Sequence, residues 1–95
     1  MNMPTDFEWD DQKDAANIAK HGIPFAEAVA VFLDINRIDI ATIRAEDGED
    51  RMKSVGMIEG RLFTVVYVMR GMICRIISAR RSNGGEERRY GNHSL

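Results

Sequence analysis

At 95 residues and 10.8 kDa the chain has room for one core, since domains take roughly 50–200 residues and two would each lack an interior. Its 44% hydrophobic and 29% charged residues, with only two prolines, exclude a disordered chain, which lacks the apolar surface to offset its entropy. One cysteine, Cys74, and two histidines, His21 and His93, exclude an internal disulfide and make no cluster at zinc spacing, so neither metal nor cofactor is expected.

The longest apolar run, around Leu62 to Val68, falls far short of the ~20 residues that span a bilayer. The first residues show no signal pattern, so a cytoplasmic protein is expected. The net charge of −2 hides a division: residues 1–50 carry 4 basic against 12 acidic side chains, and residues 51–95 carry 9 against 3. A basic half of this kind points to an anion-binding face, unless the fold interleaves the charges and neutralises them.

Residues 1–5 read as a loose leader to a single domain spanning 1–95, and Phe7 to Trp9 as a short edge strand. Asp10 is a good N-cap, and Ala15, Ile18 and Ala19 recur at helical spacing up to Gly22, predicting a helix over 11–21. Gly22 suits a helix end and Pro24 the start of another, whose apolar face is Phe25, Ala28, Val29 and Phe32. Ile38, Ile40 and Thr42 then alternate as in a strand, and a loop is expected over 45–50. Strands over 51–58, 61–69 and 72–79 follow, joined by Glu59-Gly60 and Arg70-Gly71 turns. The 62–68 strand, apolar on both faces, should be central, and a short helix is expected near 86–90. The fold class is therefore α+β, with two N-terminal helices packed on an antiparallel meander and a short C-terminal helix.

Arg75 to Arg81 is the most informative segment. Strand alternation sets Arg75 beside Ile73 and Ile77, with Ser78 and Arg80 on the opposite face. Arg75 either pairs with a carboxylate such as Asp39 or Glu49, or grips phosphate as a bidentate donor on a rigid strand. Arg80, at the strand exit, fits the phosphate role better. Arg51 and Lys53 share a face of the neighbouring strand and add positive charge to the sheet, or are solvated edge charges. His21 is the one well-placed residue of a type whose unperturbed pKa, about 6.5, allows proton exchange near neutrality. It is a candidate acid or base, or a cation favoured by its helix C-terminus. Tyr90 brings a phenol to the basic sheet if the last segment packs back across it. Trp9 reads as a core anchor and Cys74 as a small buried hydrophobe.

Phe7, Trp9, Asp10, Lys13, Asn17, Lys20, His21, Gly22 and Phe25, then Glu49 and Arg51 before Gly56, the apolar Leu62 to Tyr67 strand, and Arg75 to Arg81 followed by Glu87, Arg88 and Tyr90 form an ordered pattern. In it the chain resembles the BrnT toxins, ribonuclease components of type II toxin and antitoxin pairs. The resemblance implies a RelE-like fold and metal-independent RNA cleavage that inhibits translation. It also implies a BrnA-like ribbon-helix-helix antitoxin in a 2:2 heterotetramer, with operator DNA met only through the antitoxin.

On that reading Arg80, then Arg75, stabilise the charge on phosphorus, because such preorganised donors are usually the largest catalytic contribution. His21 exchanges protons, with Tyr90 or Lys53 as deputies, and Lys20, Arg51, Lys53 and Arg81 bind RNA. The chain departs from the family at Ser82, Asn83, Gly84 and Gly85, where glycines predict a helix that starts late or frays. That departure keeps open an inactive homologue that binds antitoxin as a co-repressor, and the basic half alone would allow a noncatalytic nucleic-acid-binding module.

Overall fold

The computed structural model describes residue 4, residues 6–44 and residues 49–93. Apart from Pro4 the expected leader lies outside them, as do residues 45–48 of the expected loop. The elements are β1 (Asp6–Glu8), α1 (Asp11–His21), α2 (Phe25–Ala28) continued by a 3₁₀ turn (Val29–Leu33), β2 (Ile38–Arg44), β3 (Glu49–Ile58), β4 (Arg61–Arg70), β5 (Ile73–Arg81) and α3 (Gly84–His93).

The sheet order is β1-β5-β4-β3-β2, so β4 is central, as its two apolar faces require. Strands β2 to β5 form an antiparallel meander, but β1 runs parallel to β5. The sheet is therefore mixed, not wholly antiparallel: all the chain between β1 and β5 serves as the long connection that a parallel pair needs. Glu59 and Gly60 both take positive φ, 50° and 80°, the geometry of a tight hairpin turn. The second turn sits one residue later than expected, at Gly71-Met72, with Gly71 at φ 62°.

One extra residue in β5 changes which side chains share a face. Tyr67 faces Ile76 while Val66 faces Ser78, leaving a bulge at Ile77 that resets the alternation. Arg75, opposite Val68, and Arg80, opposite Thr64, consequently lie on the same face of the sheet. Strict alternation had put them on opposite faces.

Helix α1 is capped as its sequence requires. The Asp10 carboxylate accepts from the backbone N–H groups of Gln12 and Lys13 at 2.8 and 3.1 Å, and these bonds hold its pKa below the usual value. Gly22, at φ 76°, donates to the Ile18 carbonyl. The buried face, however, is not the expected apolar one: Ala15, Ile18 and Ala19 are exposed and Asn17 is buried. Strand β1 covers β5 only over Ile73 to Arg75. Farther along that edge the Asn17 amide takes the place of a strand, donating to the Ala79 carbonyl at 2.8 Å and accepting from the Ala79 N–H at 3.1 Å.

Phe25, Ala28, Val31 and Phe32 close the core against Val65, Tyr67, Cys74, Ile76 and Ala79. Phe32 meets the rings of Phe7 and Tyr67 at 5.3 and 5.2 Å, and Trp9 meets Phe25 edge-on at 6.1 Å. The 3₁₀ turn approaches β3 so closely that a Cβ at Gly56 would stand 2.8 Å from Val31 Cγ1 and from its carbonyl oxygen. Helix α3 lies across the opposite face of the sheet, against β2 and β3. Burial pushes the Cys74 thiol up to about 12, in keeping with a small, inert hydrophobe.

Candidate active site

Two sets of basic residues lie on the two faces of the sheet. On the α3 face, strand pairing aligns Arg51, Lys53, Arg75 and Arg80, so the bulge gathers the strand-borne cations that the sequence had divided. At the centre is Glu86, only 3% exposed. Arg80 donates to both its oxygens, at 2.8 and 2.9 Å, Lys53 donates at 2.9 Å and Thr64 at 2.9 Å. Burial alone would raise the Glu86 pKa; the bonds from Arg80, the Asn83 N–H, Lys53 and Thr64 outweigh it and hold the carboxyl far below the usual range. Its bond to Glu86, against burial, raises the pKa of Arg80.

Glu86 gets there because Asn83 caps α3. The Asn83 side chain accepts from the Glu86 N–H and Glu86 accepts from the Asn83 N–H, both at 2.9 Å, a reciprocal capping box. The helix consequently starts at Gly84 rather than late. Gly84 and Gly85 occupy its first turn, where backbone N–H groups have no helical partners to lose.

The other nominated side chains on this face are also engaged. Arg75 pairs with Glu8 at 2.7 Å and not with Asp39, because β1 sets Glu8 directly beside it; the Glu49 side chain lies outside what is described. The Tyr90 hydroxyl donates to Asp34 at 2.6 Å, and burial, then that bond, push its pKa up to about 12. Burial would raise Asp34 in turn, but bonds from Tyr90 and the Met57 and Asn36 N–H groups hold it low. Arg51 is half-buried, two residues before Lys53. Many early carboxylates are thus occupied inside the protein: Glu8 by Arg75, Asp10 by its helix, Asp14 by the Phe25 N–H, Asp34 by Tyr90 and Asp39 by Arg37 and Ser54.

On the helix face, the end of α1 and the β3–β4 turn enclose an open groove. His21 and Arg81 both line it, together with Arg61 and Phe63. Alternation along β5 turns Arg81 to this side when Arg80 turns to the other. No carboxylate among the described residues pairs with Arg61 or Arg81, in contrast with Lys53, Arg75 and Arg80. The Arg81 guanidinium lies over the Phe63 ring, 5.7 Å from its centre. Lys20 is exposed on α1 next to His21. The structure therefore brings His21 together with Arg81, and Arg80 with Lys53, and keeps the two pairs on opposite faces.

Sequence reasoning passed over Arg61, Phe63 and Glu86. The Asn83-to-Glu86 spacing was a usable signal for the last, being that of a capping box; nothing local marked the other two. Among the described residues no three His, Cys, Asp or Glu side chains gather as metal ligands, and no helix is long and apolar enough to cross a membrane.

Residues 9–86 match the family model described as the ribonuclease toxin, BrnT, of type II toxin-antitoxin systems. No curated protein matches the chain.

Proposed function

Because the chain belongs to the BrnT family of ribonuclease toxins of type II toxin-antitoxin systems, we propose that it is a metal-independent endoribonuclease whose reacting site is the groove beside His21. The observation that carries this reading is the meeting, in that one open groove, of an imidazole with two guanidiniums that no carboxylate among the described residues holds. Metal-free cleavage requires the 2′-hydroxyl to lose a proton, the added charge on phosphorus to be stabilised and the leaving 5′-oxygen to gain a proton. His21 exchanges the protons, and Arg81 donates to the nonbridging oxygens. Arg80, Lys53, Arg75 and Tyr90, nominated for the same chemistry, each hold a carboxylate on the opposite face of the sheet and stand outside the groove; Arg51 and Lys20 add positive charge.

By cutting RNA in the cytoplasm the toxin inhibits translation. A BrnA-like ribbon-helix-helix antitoxin neutralises it in a 2:2 heterotetramer and carries the complex to operator DNA. The RelE-like fold expected from the resemblance is compatible with an antiparallel meander flanked by helices on both faces. The glycine pair lends no weight to an inactive homologue, since α3 forms over it and is capped.

The test is induced expression in bacteria of the wild type and of Arg81→Ala, His21→Ala and Arg80→Ala at equal abundance, following growth and RNA integrity within minutes. Growth arrest and shortened RNA with the wild type, abolished by Arg81→Ala and His21→Ala, are expected. A folded wild type that leaves growth and RNA intact removes the ribonuclease reading. Loss confined to Arg80→Ala moves the reacting site to the α3 face.

A further inference from the structure

The groove holds more than its two nominated residues, and its composition indicates what it takes. Arg81 is fixed by its neighbour across the strands: Phe63 and Arg81 are directly paired, and the guanidinium rests over the ring. A guanidinium laid on an aromatic face is held as a plane, and such planes stack on unpaired bases. Arg61, exposed at the first position of β4, supplies a second charge that no carboxylate among the described residues engages.

Glu27 and Glu59 also line the groove, so its field is mixed. A bare polyanion is a poor fit to such a lining. A nucleotide offers phosphate to the arginines and base N–H donors to the carboxylates.

We propose that this groove binds single-stranded RNA by stacking an unpaired base on the Arg81 guanidinium, with Arg61 on a neighbouring phosphate and Phe63 as the residue that positions Arg81. The proposal rests on the ribonuclease reading for the identity of the nucleic acid and adds a binding mode and two residues to it. Duplex RNA, whose bases are stacked on one another, presents no free face to Arg81 and binds more weakly.

The experiment uses the full chain and a fluorescent ten-nucleotide 2′-O-methyl RNA, which cannot be cleaved because its 2′-oxygen carries no proton. Binding is measured over a salt series. Arg61→Gln is expected to weaken binding and to reduce the slope of log affinity against log salt by about 0.7, one phosphate contact on a single strand. Arg81→Lys keeps the charge and loses the plane, so affinity falls about 10-fold while the salt slope stays. Phe63→Leu, checked for folding by thermal melting, falls in the same direction as Arg81→Lys.

Arg81→Lys binding as tightly as the wild type overturns the stacking, since charge alone then suffices. Wild type that shows the expected pattern but leaves unmodified RNA whole retains the binding mode and sinks the ribonuclease reading. Wild type that cleaves RNA, with binding unchanged in Arg81→Lys and Arg61→Gln, does the reverse.

Discussion

Arg80 and Glu86 meet fork to fork, Nη1 to Oε1 at 2.8 Å and Nη2 to Oε2 at 2.9 Å. Six residues apart in sequence, they join the end of β5 to the first turn of α3, and Lys53 on β3 completes the contact with the same carboxylate. Parallel N–H···O bonds of this kind are the arrangement arginine uses toward phosphate as well as carboxylate. The protein thus meets with its own side chain the demand that would otherwise draw an anion to this face of the sheet, whereas Arg81, the next residue, keeps its guanidinium for the groove.

Glu86→Gln leaves Arg80 and Lys53 without their counter-charge in a half-buried place, and a stability loss of about 3 kcal/mol is expected from chemical denaturation. The effect depends on pH. The folded-state pKa of Glu86 is depressed, so its stabilisation is complete above the unfolded value of about 4.3 and is lost as pH falls toward the folded value. The wild-type melting temperature should fall more steeply than that of Glu86→Gln on acidification from pH 5 to 3. Parallel curves would show that Glu86 does not carry the acid sensitivity.

Asn17→Ala removes the amide that closes the edge of β5. The Ala79 N–H and carbonyl, both buried contacts of that amide, are left without it, and the Ile23 carbonyl loses a donor as well. A loss of about 2–3 kcal/mol is expected, together with faster amide exchange at Ala79. Asn17→Asp keeps the acceptor but not the donor and should recover little. If the Ala79 amide remains protected in Asn17→Ala, the edge is closed by something else.

The elements were largely legible because each is written locally: a cap at Asp10, a left-handed glycine at Gly22, alternation through β3 and a turn dipeptide at Glu59-Gly60. What the pattern missed has in each case a long-range cause. Helical spacing pointed to Ala15, Ile18 and Ala19, yet α1 docks through Asn17, since what it meets is an open strand edge rather than an apolar surface. The shared face of Arg75 and Arg80 follows from one extra residue at Ile77, which alternation cannot register. Neighbours across strands decide the site in the same way: Glu8 reaches Arg75 from 67 residues away, and Phe63 underlies Arg81 only because β4 and β5 are in register.

Gly56 tests the packing of the 3₁₀ turn on β3. A methyl group there would stand 2.8 Å from both Val31 Cγ1 and the Val31 carbonyl, and the backbone oxygen cannot turn aside as a side chain can. Gly56→Ala should cost about 1–3 kcal/mol and shift the amide resonances of Val31 and its neighbours. A melting temperature equal to that of the wild type would mean the turn moves without cost.

His21 divides a structural from a chemical role. As a cation at the end of α1 it would contribute roughly 0.3–1 kcal/mol to stability, and its replacement would leave the pH dependence of cleavage intact. As the proton-exchanging group it would contribute roughly 10²–10⁴-fold to the rate, and the limb of the profile near neutrality would go with it. The groove favours the second outcome, because it sets the imidazole among arginines open to substrate. His21→Ala is therefore expected to fold, to lose at least ~10² in cleavage rate and to give a flat profile between pH 5 and 8, measured on a short single-stranded RNA. A variant that keeps the wild-type profile at reduced stability would return His21 to the helix end and remove it as the titrating group.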